Sequence, residues 1–163
     1  MAQTRIEGDL YVTGNIGSAT MSVPDSTVVN ADVSASADIT STKLEMQRSF
    51  TYSQNGTAAS VTVPIHIVYG ATCSLVSIKA GSVAACIGNS TVTVDLKKNG
   101  SSVLSAVITL DNANTARVAE AGTITTAGGV AGDFYELVIV ATVGTGTLAT
   151  GLGVTVIWSE KTN

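Results

Sequence analysis

The sequence predicts an all-β protein, a jelly-roll-like β-sandwich with an extended N-terminal arm. Three observations carry this. Hydrophobic residues make up 45% of the 163-residue chain but aromatics only 4%, so the apolar weight lies in Val and Ala, mixed with Thr, Ser and Gly. That mixture suits pleated, half-buried surfaces and tight turns rather than helices. From Arg48 onward, apolar and polar residues alternate with period two in one run after another. Asn-Gly and Gly-rich pairs punctuate the runs, and about eight short strands at such spacing match a sandwich or jelly roll.

The chain divides at residue 47. Residues 1–47 read as an arm, and residues 48–163 as the sandwich domain. In the arm, Ile6, Leu10, Val12 and Ile16 punctuate EGDLYVTGNIG, with Gly8, Gly14 and Gly17 between them, which predicts one short strand with turns. The segment has too few apolar residues to close a core alone, so it is either a free tail or an arm that docks on another subunit. Val28, Val29, Ala31 and Val33 form a small extended run. Ser36 is placed to cap a short helix over 37–47, limited to a turn or two by Thr40, Ser41 and Thr42.

In the domain, Phe50–Tyr52 opens a strand and Asn55-Gly56 turns it. Val61, Val63, Ile65, Ile67 and Tyr69 alternate with Thr62, Pro64, His66 and Val68, which assigns Tyr69 to the core and His66 to solvent. Pro64 removes a ladder donor, so this strand belongs at an edge or carries a bulge. A strand over 73–79 and a short one over 83–87 follow. Residues 116–125 form a weaker strand that ends at Ala127-Gly128-Gly129. In 134–143, Tyr135, Leu137, Ile139, Ala141 and Val143 share one face. Leu152, Val154, Val156 and Trp158 make the last alternating run.

The most informative stretch is 91–110, TVTVDLKKNGSSVLSAVITL. Alternation on both sides of Asn99-Gly100 signals a hairpin. A two-residue loop would set Leu96 opposite Val103 and turn the apolar sets opposite ways. A three-residue loop, Lys98-Asn99-Gly100, sets Val94 opposite Leu104 and Val92 opposite Ala106, and the pattern selects that register. Gly100 then takes positive φ. Val103, Val107, Val138 and Val140 fall on faces turned from the core, and several such valines on neighbouring strands form a patch that favours a partner.

Charge and chemistry exclude several functions. Net charge is −4 and pI about 4.7. The eight cations are scattered, so nucleic acid is not an expected partner. Charged residues are only 12%, about half the usual share, which fits either subunit-covered surface or a Ser/Thr-coated monomer. The N-terminus lacks the apolar core of a signal peptide. Residues 137–158 are uncharged, but their Gly and Thr content predicts two strands and a turn rather than a membrane span. Cys73 and Cys86 are expected as reduced core thiols, with a disulfide as the alternative. The Asn-x-Ser/Thr triplets at Asn55, Asn89 and Asn99 read as chance matches.

His66 is the sole histidine, so any Ser-His-Asp or Cys-His arrangement must use it, and no Gly-x-Ser-x-Gly elbow accompanies it. One histidine with two cysteines thirteen apart does not make a zinc site. The carboxylates are dispersed. No catalytic, cofactor-binding or metal-ligating residue is assigned, and no cofactor is expected. For carbohydrate, the candidate aromatics are Tyr11, Tyr52 and Tyr135 or Phe134.

ADVSASADITSTKLE (31–45) is similar to an Ala/Ser-alternating motif before Ser/Thr-Lys-Leu in tailed-phage structural proteins. VTVDLKKNGSSVLSAVITLDNANTARVAEAGTI and AGDFYELVIVATVGTGTLATGLGVTVIW resemble a β-sandwich domain of phage head-decoration and fibre-like proteins, and IEGDLYVTGNI resembles their opening. The resemblance implies a non-enzymatic virion protein, trimeric, assembled in the host cytoplasm and attached to the major capsid protein on the capsid exterior. No family functional residue carries over. Ile6, Leu10, Val12, Ile16, Val103, Val107, Val138 and Val140 are the candidate partner contacts, with neither nucleic acid nor membrane as partner. The competing readings are a receptor- or carbohydrate-binding module of a fibre, and a bacterial enzyme or adhesin accessory domain.

Overall fold

The computed structural model describes residues 45–70 and 72–161. Ten strands follow in order: β1 (Glu45–Thr57), β2 (Val61–Ile67), β3 (Thr72–Ala84), β4 (Thr91–Lys98), β5 (Ser101–Ser102), β6 (Ile108–Leu110), β7 (Glu120–Ala121), β8 (Gly128–Val130), β9 (Phe134–Thr142) and β10 (Thr150–Lys161). Residues 6–16, with Ile6, Leu10, Tyr11, Val12 and Ile16, lie outside the described residues, as does most of the expected helix. Its last three positions, 45–47, belong instead to β1.

One sheet has the order β1-β10-β3-β7, with β8 also on β3. The other has β2-β9-β4-β5, with β6 also on β4. Every pairing is antiparallel. Taking β5 with β6 and β7 with β8 as two interrupted strands, this is the eight-stranded order of a jelly roll. The core between the sheets holds Val92, Val94, Leu96, Tyr135, Leu137, Ile139, Leu152, Val154, Val156 and Trp158, all at most 1% exposed. These are the period-two residues of β4, β9 and β10, so alternation located the core strands directly. Val143, at the end of the β9 set, is exposed.

The 91–110 hairpin closes differently from the expected register. Lys98 pairs with Ser101 and Lys97 with Ser102, leaving a two-residue loop. Asn99 (φ 49°) and Gly100 (φ 83°) both take positive φ, the type I′ turn whose twist suits the flanking strands. The Val103 amide donates to the Leu96 carbonyl at 2.9 Å. The chain then leaves the ladder. Leu104 bridges to Ile124, and β6 rejoins β4 with Val94 opposite Ile108. Val94 therefore faces neither Leu104 nor Ser105. The excursion breaks the single register assumed from alternation, and it buries Val103 beside Leu104 rather than exposing it.

Other corrections have local causes. Asn55-Gly56 does not turn the chain but sits in a register shift within β1. β3 runs unbroken to Ala84, and only Glu120–Ala121 of 116–125 is strand. Pro64 does lie in an edge strand, and the β2–β9 register shifts between Pro64 and His66. That shift inverts the parity of the residues after it. His66 turns inward, Ile67 turns out, and Tyr69 beyond the strand is 88% exposed rather than in the core. Cys73 and Cys86 are buried and free.

Candidate interaction site

The most elaborate polar arrangement lies at one end of the sandwich, where β1, β2, β9 and β10 meet. Glu160, near the end of β10, is 1% exposed. One carboxylate oxygen accepts the amides of Tyr69 (3.0 Å) and Gly70 (2.8 Å). The other lies 3.1 Å from Arg48 Nε and 3.9 Å from His66 Nε2. The Arg48 contact is an ion pair without hydrogen-bond alignment, and Glu160 Oε2, His66 Nε2 and Trp158 Nε1 are buried without hydrogen-bond partners. His66 packs on Trp158 with ring centres 4.9 Å apart and faces Tyr135 at 6.2 Å. Cys73 Sγ lies 3.8 Å from the Tyr135 hydroxyl.

Electrostatics follow from this geometry. Burial opposes ionisation of Glu160, but the Gly70 and Tyr69 amides, His66 and Arg48 outweigh it and hold its carboxyl below the usual range. Burial pulls His66 down, and Arg48 adds to this against the pull of Glu160, so the neutral imidazole is favoured. Burial pushes the Cys73 thiol up, which leaves it a weak nucleophile. The cluster thus sets a neutral histidine against the Trp158 and Tyr135 rings, and its carboxylate anchors the Tyr69–Gly70 segment. Among the described residues no group of three His, Cys, Asp or Glu side chains is placed to hold a metal ion.

What Glu160 anchors is a displayed surface. The Tyr69–Gly70 turn also ties to the 130–133 loop: Val68 donates to the Asp133 carbonyl and Gly132 to that of Val68, both at 2.9 Å. Asp133 accepts from the Val130 amide and from Asn99 Nδ2. The Val130 bond first, then Asn99 and Lys98, hold the Asp133 carboxyl below its usual value. Around these fixed loops Ile67, Tyr69, Val130 and Phe134 are exposed. Alternation could not reveal Tyr69, because the β2 bulge shifts its phase. Of the other aromatic candidates, Tyr135 is fully buried and Tyr52 half-buried.

A second surface is the outer face of β2-β9-β4. Val138 stands between Asp95 and Thr62, and Val140 opposite Thr93. Val140 and Val107 are exposed and Val138 is half-buried. Val138 and Val140 are thereby brought together, with Val107 next to β6, whereas Val103 is withdrawn into the core. A groove of about 590 Å³ lies over β3 and β10, lined in part by Lys79, Arg117, Val83 and Val118. Among the described residues neither an acid nor a histidine lines it.

No family model matches the sequence, and no curated protein matches it. Among solved structures, the chain is similar to a sugar-binding protein described as the EclA C-terminal domain, with 15% identity over 69% of this chain and 78% of that one, at a TM-score of 0.37. It is also similar to a structure of the infectious bursal disease virus Gx strain, with 12% identity over 74% of this chain and 34% of that one, at a TM-score of 0.35. The chain thus spans about a third of that viral chain. At such scores these likenesses carry no argument about function, and the jelly-roll β-sandwich rests on the strand order and packing described above.

Proposed function

We propose that this chain is a non-enzymatic structural protein of a tailed-phage virion, decorating or cementing the capsid exterior as a homotrimer bound to the major capsid protein. The supporting observation is the apolar surface of the sandwich domain. Val107, Val140, Ile67, Tyr69, Val130, Phe134, Ile87 and Val143 are exposed, although the chain is poor in charge. Such surface is worth about 25 cal/mol per Å² when covered, and a closed symmetric assembly covers it. The resemblance of the 92–124 and 131–158 stretches to a domain of phage head-decoration and fibre-like proteins points to a phage particle. Native mass spectrometry and occupancy on purified particles test the two halves. A monomer at working concentration refutes the trimer, and particles without the chain refute the capsid role.

A receptor- or carbohydrate-binding fibre module is the second reading. Its support is Tyr69, an aromatic ring displayed on a turn that a buried carboxylate holds in place. Glycan-array binding that Tyr69→Ala abolishes would favour it, and absence of binding would remove it.

A further inference from the structure

Two edge strands of the sandwich, β1 and β2, differ sharply. β1 and β2 lie one in each sheet and are joined by residues 58–60. The β2 edge is interrupted by Pro64 and by the register shift after it, devices that discourage further pairing. β1 is 13 residues long, and its one irregularity lies at its far end, between Gln54 and Thr57. Among the described residues it pairs only with β10. Its charges are Glu45 and Arg48, and Arg48 is engaged by Glu160. An uninterrupted edge of this length is a template for one more strand.

The faces of β1 specify what that strand must carry. Phe50 and Tyr52 point inward, packed against the core but only half-buried, while Ser49, Thr51 and Ser53 point out. Val61 and Ile65 of β2 are likewise half-buried core neighbours. An added strand must therefore be apolar on alternate residues and polar on the others. Residues 6–16 alternate in that way in sequence: Ile6, Gly8, Leu10, Val12, Gly14 and Ile16 at one parity, Glu7, Asp9, Tyr11, Thr13 and Asn15 at the other.

We propose that the edge of β1 left unpaired among the described residues accepts residues 6–16 of a second copy of the chain as an added strand, closing the side of the sandwich over Phe50 and Tyr52. Residues 17–44 separate this segment from its own β1. A connection longer than about 12–15 residues is uncommon within a compact domain but serves as a linker between subunits. Each arm then occupies the next subunit, a head-to-tail exchange that closes into a ring at three copies. The inference rests on the oligomeric half of the proposed function and is independent of the capsid.

Pairwise cysteine substitution in the full chain tests it. Chains carrying Leu10→Cys or Val12→Cys are mixed with chains carrying Phe50→Cys, Tyr52→Cys or, as the β2 control, Val63→Cys, and then mildly oxidised. The expected result is disulfide-linked heterodimers of arm and β1 positions, with little linkage to Val63→Cys or to unsubstituted chain. Linkage only within a doubly substituted chain overturns the second copy as donor, and linkage to β2 as readily as to β1, or none at all, overturns the edge. Independently, Leu10→Asp with Val12→Asp should abolish the oligomer while Tyr11→Asp leaves it, with Trp158 fluorescence unchanged in both. Equal behaviour of the two variants refutes the facial argument. Particle occupancy is measured separately, so loss of the capsid role leaves the linkage result standing.

Discussion

Glu160→Gln isolates what the buried carboxylate does at the end of the sandwich. Glutamine keeps the shape and one acceptor oxygen, so the Tyr69 and Gly70 amides retain a partner and only the charge is lost. Hydrogen bonds to a charged group contribute about 1.5–3 kcal/mol and neutral ones about 1 kcal/mol. For the two amide bonds at 3.0 and 2.8 Å, the loss is therefore roughly 2 kcal/mol. The Arg48 side chain is 51% exposed, so its pairing adds at most about 1 kcal/mol. A destabilisation of about 2–3 kcal/mol results, which for a chain of this size lowers Tm by roughly 4–12 °C. Trp158 is the sole tryptophan and is buried beside the site, so urea unfolding followed by its fluorescence measures the loss.

The pH dependence gives a second check. The folded Glu160 carboxyl lies below its ordinary value of 4.5, so its contribution is present above 4.5 and is lost as pH falls through the lower folded value. Wild type and Glu160→Gln should differ fully at neutral pH and converge in acid. A neutral-pH difference under about 0.5 kcal/mol, the usual scale of a surface substitution, or a gap that persists in acid, would refute the anchoring role.

Three further outcomes are expected. His66 is held below its ordinary pKa of 6.5, so the fold favours neutral imidazole and loses stability as pH falls below 6.5; His66→Gln should remove that slope, and an unchanged unfolding profile would count against it. Gly100→Ala should cost about 1–2 kcal/mol in chemical denaturation, because φ is 83° while no neighbouring atom lies within 4 Å of the added carbon; a neutral effect would show that the turn relaxes. Leu96→Ala, at a fully buried β4 position, should cost about 2–5 kcal/mol, and a smaller loss would mean that the core collapses around the cavity.

The core strands were legible because burial on one face of a regular strand imposes period two. Leu137 and Ile139 on β9, and Leu152 to Trp158 on β10, all carry that imprint. Pro64 was equally legible, since a residue without an amide proton is confined to an edge or a bulge. The sites of interest were not, because each depends on a break in the period. One register shift after Pro64 reversed His66 and Tyr69, and the excursion at 103–107 took Val103 into the core. Side chains at the end of the sandwich come from residues far apart in the chain: pairing of β10 with β1 brings Glu160 to Arg48, and packing of the two sheets brings it to His66 and the Tyr69 turn.

Composition and alternation by themselves determined that this chain is an all-β sandwich, which residues of β4, β9 and β10 line its interior, and that Asn99-Gly100 turns it. Tertiary structure alone decided the turn register, the inward histidine, the displayed tyrosine and the contrast between an interrupted β2 edge and a long, regular β1 edge. The physical reason is the range of the forces. Alternation and turn chemistry act between neighbours in sequence and leave a local trace. Bulges and the partners of a buried carboxylate are selected by how two sheets meet, and a single-residue slip there changes every face beyond it.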